Sequence, residues 1–190
     1  MESILQLDKE FFLFLNSLGN TTWDGFWVFV THKWNSIPIY FLLLFFSYRQ
    51  FGIKNTIYVL IAVALMILCV DQLANFFKYG FQRLRPCFDT DVNVLMRQVQ
   101  DSCEHRGLYG YYSAHAANSY AIAIFFSLIL KKNRLPMAIF ILLWASLVAY
   151  SRIYIGVHFP FDVITGMFFG TLFGWIFAKL LLSVQAKLAR

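Results

Sequence analysis

Long apolar runs separated by short polar stretches dominate the chain. Five of them approach the ~20 helical residues that a hydrocarbon core of about 30 Å requires: Gly25 to Tyr48, Thr56 to Tyr79, Ser113 to Leu130, Leu135 to Tyr154 and Phe159 to Leu182. Backbone polar groups in lipid must pair within their own segment, and the short alternating runs of a barrel are absent, so these runs predict α-helices. The first is the weakest, because Lys33 and Pro38 interrupt it; it is expected to break or tilt. Ahead of it, Ile4, Leu5, Leu7 and Phe11 to Leu15 are mixed with Glu2, Asp8, Lys9 and Glu10, which suits a helix lying in the interface, a sixth span being the alternative. The expected fold is all-α: a polytopic membrane helical bundle of five spans, or six, with an N-terminal interfacial helix.

Composition agrees. Of 190 residues, 59% are hydrophobic and 14% charged, against roughly 25% charged in soluble domains. The length suits one domain over residues 1–190. The N-terminus, Met1-Glu2-Ser3, lacks the basic region and cleavage site of a secretory signal, so no cleavage is expected. The net charge of +6 sits in short clusters between spans, which argues against a nucleic-acid partner and for topology signals. Arg49 and Lys54, then Lys131, Lys132 and Arg134, then Lys187 and Arg190 all fall on one side of a five-span chain. That side is expected to be cytoplasmic. The loop from Gly80 to Tyr112 and the turn from Ile155 to His158 then face outward. Cys87 and Cys103 both lie in the exported loop, where a disulfide closing ~16 residues would contribute about 3 kcal/mol. Two unpaired thiols are the other reading.

Polar residues inside the spans carry the chemistry. Asp71, Asn75, Lys78, Gln82 and Arg85 follow one another at helical spacing and predict one stripe facing the bundle interior, ended by Pro86. Asp71, the deepest, is expected to pair structurally with a neighbouring span. Ser113 and His115 open the third span, Arg152 ends the fourth, and His158 and Asp162 begin the fifth. The topology brings Lys78, Arg85, Ser113, His115, Arg152, His158 and Asp162 to one membrane face: an anion site with two imidazoles. No zinc-like Cys/His spacing or carboxylate cluster is present to hold a metal. Gly166, Gly170 and Gly174 recur every four residues and predict close packing within the bundle rather than a dimer seam.

These residues, in order, resemble the type 2 phosphatidic acid phosphatase family, which includes the lipid phosphate phosphatases. KYGFQRLRP matches the family's Lys, six residues, Arg-Pro; SRIYIGVHFPFD matches its Ser-Arg, five residues, His, three residues, Asp. The middle motif, usually Pro-Ser-Gly-His, reads Tyr112-Ser113-Ala114-His115 here. The motif-bearing part spans residues 71–182. The resemblance assigns the phosphate to Lys78, Arg85 and Arg152, with Ser113 and the amide of Ala114 completing the cradle. It makes His158 the nucleophile of a phosphohistidine intermediate, Asp162 the group that fixes its tautomer, and His115 the acid and then base. The guanidinium groups replace a metal, and no cofactor is implied. The expected substrate is a lipid phosphate drawn from the surrounding membrane lipids: undecaprenyl diphosphate first, with phosphatidylglycerophosphate, phosphatidate and lipid A phosphates as alternatives. Arg97, His105, Arg106 and Tyr109 are candidate head-group contacts, solvated loop residues being the blander account. A bacterial inner membrane with an outward-facing site is the expected location, and the oligomeric state stays open. A non-catalytic transporter or scaffold need not keep His115, His158 and Asp162 together; a vanadate-dependent oxidase shares the pocket, but its relatives are typically soluble.

Overall fold

The structure, a computed structural model, describes residues 2–100, 102–104, 106–130 and 134–188. Among them are six α-helices: α1 (Glu2–Ser17), α2 (Thr21–Thr31), α3 (Ile37–Phe81), α4 (Ala114–Ile129), α5 (Arg134–Tyr154) and α6 (Pro160–Leu188). Short 3-10 turns at Lys33–Ser36 and Pro86–Phe88 complete the regular structure. Lys131, Lys132 and Arg190, part of the expected basic clusters, lie outside the described residues.

α4 is the axis of the molecule. At 16 residues it is shorter than a span, but α3, α5 and α6 surround it. Ala116, Ala117, Ala121 and Phe125 on it are wholly buried. The α6 glycines make the tightest seam: a methyl group added at Gly166 or Gly174 would lie 2.5 Å from the carbonyl oxygen of Ser113 or Ala121, and one at Gly170 closer still to Ala117 O. The glycine stripe is therefore filled by α4, which is the internal packing that its spacing predicts.

α3 contains one non-helical residue, Gly52, at φ 73° and ψ 173°. Around it the chain reverses. Gln50 donates to the Ile129 carbonyl at the far end of α4, whereas Asn118, near the start of α4, donates to Asp71 at 2.8 Å. The two runs read as separate spans are thus the two legs of one kinked element, and Asp71 is paired across helices as expected. The first run, Gly25 to Tyr48, is divided among α2, the turn at Lys33–Ser36 and the first leg of α3. Its break falls where Lys33 and Pro38 interrupt the apolar pattern. Three helical segments, Lys33–Phe81, Leu135–Tyr154 and Pro160–Leu188, are long and apolar enough to cross a membrane.

α1 lies across the end of the bundle that holds Asp162. Asp8 bonds to Arg83 and to the Phe161 amide, the Phe12 ring meets Phe159 edge-on at 5.3 Å, and Asn16 donates to Tyr154 O. Arg49, Lys54 and Lys187 sit at the opposite end.

Candidate active site

One expectation about the site is corrected by the backbone. α3 stops at Phe81, and Gln82 turns the chain out of the helix in a left-handed conformation at φ 51°. Neither Gln82 nor Arg85 therefore continues the stripe of Asp71, Asn75 and Lys78. Pro86 only forbids helix at Arg85; a long-range pairing ends it earlier. Arg85 N–H donates to Leu108 O, and Gly110 N–H to Arg83 O, so residues 83–85 pair with 108–110 as a short antiparallel bridge. The loop carries Arg85 to the site that the stripe was expected to reach.

The turn between α5 and α6 sets the other half. The Arg152 carbonyl accepts from the Val157 and His158 amides, a reversal that Gly156 makes possible at φ 78°. Asp162 in the first turn of α6 reaches back to accept from the Phe159 amide at 2.9 Å, the carboxylate half of a capping box. Ser113 caps α4, its hydroxyl accepting from Ala116 N–H, and its own N–H donates to Asp162 O. His115 thus stands in the first turn of α4, with Ala114 before it, where helix amides favour an anion.

At the centre is His158, buried at 3% exposure. Its Nε2 is 3.0 Å from Arg85 Nη1. Its Nδ1 faces Asp162 Oδ2 at 3.5 Å and makes no hydrogen bond. A guanidinium can only donate, so the Nε2 lone pair points toward Arg85 and the ring proton sits on Nδ1, toward Asp162. Burial, then the charges of Arg85 and Arg152, hold this imidazole well below its ordinary pKa. It is neutral at pH 7.

Four cations gather at the two histidines. Arg152 is wholly buried; its guanidinium donates to the Thr31 hydroxyl, and its Nε has no partner. Arg85 is fixed by the carbonyls of Gly107 and Val157 at 2.8 and 3.0 Å. Burial and the neighbouring charge of Arg106 push it down to about 10, which leaves it charged at neutral pH. Half-buried Lys78 and Arg106 lie within electrostatic reach of both His115 and Arg85. Among the described residues none of the four has a carboxylate within ion-pair distance; those ion pairs belong to Lys9, Arg83, Arg97 and His158. Buried cations without counter-ions call for an anionic ligand. No group of three His, Cys, Asp or Glu side chains able to hold a metal occurs among the described residues.

The remaining expected residues divide. Cys87 and Cys103 are joined in a disulfide. Arg106 donates to Ser102 O and turns inward, Tyr109 takes part in the bridge to Leu84, Arg97 is paired with Asp24, and His105 lies outside the described residues. Three contributors had no role in the sequence reading. Arg83 lies within the first motif yet off its three fixed positions, Lys78, Arg85 and Pro86; Asp8 reads as an interfacial charge; Thr31 carries no signal at all. Gly110 is a fourth, since a methyl there would sit 3.1 Å from Arg85 Cγ and 3.3 Å from Asp162 Oδ2.

A family model described as the PAP2 superfamily matches residues 55–185. The lipid A 4'-phosphatase of Porphyromonas gingivalis is 34% identical over 98% of this chain and 78% of its own length; that of Bacteroides thetaiotaomicron is 32% identical over 99% and 83%. The undecaprenyl-diphosphatase of Sulfolobus acidocaldarius is 31% identical over 98% and 81%. Among solved structures, Aquifex aeolicus LpxE superposes with a TM-score of 0.65 at 27% identity, over 90% of this chain and 93% of its own. A transmembrane PAP2-type phosphatidylglycerolphosphate phosphatase from Bacillus subtilis gives 0.72 at 17% identity, over 98% and 88%, a likeness of fold.

Proposed function

The chain belongs to the PAP2 superfamily, and from that premise we propose that this membrane lipid phosphatase works through a phosphohistidine at His158, with a phosphate of lipid A as its first substrate. What supports this most directly is the environment of His158: a neutral imidazole with its Nε2 lone pair beside Arg85 and its Nδ1 facing Asp162, ringed by cations that lack counter-ions. Nε2 attacks phosphorus while the bond to the leaving oxygen breaks. Arg85, Arg152 and Lys78 hold the equatorial oxygens, and the amides at the start of α4 complete the cradle. His115 gives its proton to the leaving oxygen, then takes one from the water that attacks the phosphohistidine, releasing inorganic phosphate and restoring both imidazoles.

Lipid A is favoured by the identity to two lipid A 4'-phosphatases over nearly all of this chain. Undecaprenyl diphosphate, the first expectation from sequence, becomes the second reading, supported by the 31% identity to an undecaprenyl-diphosphatase. An outward-facing site in a bacterial inner membrane is part of this reading; the basic residues Arg49, Lys54 and Lys187 at the opposite end support the outward orientation. A scaffold or transporter would leave two imidazoles and a carboxylate without a task.

The test is phosphate release by detergent-purified protein from lipid A and, separately, from undecaprenyl diphosphate, in excess chelator. Release from lipid A, and loss of more than ~10²-fold in His158→Ala with an unchanged melting temperature, is the expected result. Faster release from the diphosphate reverses the order of substrates; a fully active His158→Ala overturns the covalent mechanism.

A further inference from the structure

The side chain that holds Asp162 is not part of the phosphate cradle. Arg83 donates from Nη1 to Asp162 Oδ1 at 2.8 Å and from Nη2 to Asp8 Oδ2 at 2.6 Å. Its guanidinium lies over the Phe159 ring, 4.3 Å from the centroid. Both carboxylates are fully shielded, at 0% side-chain exposure. The other oxygen of Asp8 accepts from Phe161 N–H at 3.0 Å. α1 thereby grips the first turn of α6 twice, once through a backbone amide and once through Arg83.

We infer that Arg83 and Asp8 are positioning residues for the His158–Asp162 pair, so that the N-terminal helix, which lies outside the matched region 55–185, sets the orientation of the nucleophile. This rests on the proposed role of His158. With Oδ1 taken by Arg83 and Oδ2 held by the Phe159 amide, the Asp162 carboxylate has one rotation available, and in it Oδ2 faces His158 Nδ1. An ionised Asp162 there only accepts, which keeps the ring proton on Nδ1 and the lone pair on Nε2. Arg83 also sets its positive charge between the two buried carboxylates, one on each terminal nitrogen. Without it, a protonated Asp162 can donate to Nδ1, moving the ring proton to Nε2 and removing the attacking lone pair. A fork of two parallel donors performs this bridging; an ammonium reaches one carboxylate well.

The effect belongs to the chemical step, since Arg83 touches the carboxylates and leaves the cradle of Arg85, Arg152 and Lys78 intact. The experiment is single-turnover phosphorylation with ³²P-labelled lipid A, quenched in alkali to preserve phosphohistidine, alongside steady-state kcat and KM, for the wild type, His158→Ala, Arg83→Gln, Arg83→Lys and Asp8→Asn. Melting temperatures are measured on each. The wild type is expected to form label that His158→Ala lacks. Arg83→Gln should lose 30-fold or more in phosphorylation rate and kcat with KM within threefold, Arg83→Lys should fall between, and Asp8→Asn, which keeps an acceptor for Phe161 N–H, should lose about 5-fold or more. Label absent from the wild type overturns the His158 reading and this inference with it. Label present in the wild type but formed at near-normal rate in Arg83→Gln and Asp8→Asn overturns this inference alone. So does a rise in KM at constant kcat, which would make Arg83 a substrate contact, or failure of all three variants to fold, which would make the network a structural staple.

Discussion

His158 shows how the environment of one side chain prepares it for a task. Free imidazole titrates at about 6.5, but burial, followed by the charges of Arg85 and Arg152, holds this ring well below that value. The sign of the stability effect follows by linkage. Between the folded and unfolded pKa values the unfolded chain binds the extra proton, so stability is full above about 6.5 and falls as pH drops below it toward the folded value. Melting temperatures at pH 7.5 and 5.5 should show a larger acid-induced drop in the wild type than in His158→Gln, which has no ring to protonate. An equal drop in both would place the acid sensitivity elsewhere. That His158 and Asp162 share one helix start was legible from spacing, because they are four residues apart beside Pro160; the roles proposed for them came from the family resemblance. Arg83 and Thr31 were not, since their partners Asp162 and Arg152 lie 79 and 121 residues away.

At the scale of elements, periodicity predicted the helices and most of their ends, but not the end of α3. α4, α5 and α6 fall close to the apolar runs that predicted them. The end of α3 did not, because the pairing of residues 83–85 with 108–110 leaves no trace in a 3.6-residue pattern. The seam between α4 and α6 was more readable. Glycines every four residues on α6, having no side chains, let its backbone approach the carbonyl oxygens of Ser113, at the cap of α4, and of Ala117 and Ala121 within it. A methyl at Gly170 would meet the rigid Ala117 carbonyl rather than a side chain able to move aside. Gly170→Ala should therefore separate the helices and cost about 1–3 kcal/mol, read as a lower melting temperature in detergent. The same shift displaces Ser113 and His115 relative to Asp162, so kcat should fall with it. A stable, fully active Gly170→Ala would mean that the seam is slack.

For the whole molecule, the redox state of the disulfide in cells tests which way the bundle faces. The bond between Cys87 and Cys103, 16 residues apart, closes a loop whose ends lie just after Arg85 and just before Arg106, and such a bond persists in an oxidising compartment and is lost in a reducing one. Cys69, exposed on the apolar flank of α3, has no partner. By the positive-inside rule, the basic residues Arg49, Lys54 and Lys187 at the opposite end carry the proposal that this end faces the cytoplasm. An oxidised bond in cells would agree with that proposal. Cells quenched in acid, denatured and treated with an alkylating reagent should yield intact protein carrying one added group, on Cys69, and three after prior reduction. Three groups without reduction would show the loop kept in a reducing space, with the site turned toward the cytoplasm. That result would contradict the charge pattern and remove lipid substrates of the outer leaflet from consideration. One group, together with loss of activity on reduction at a temperature the oxidised protein survives, would tie the same bond to the geometry of Arg85 and Arg106, which the loop entropy of about 3 kcal/mol is large enough to control.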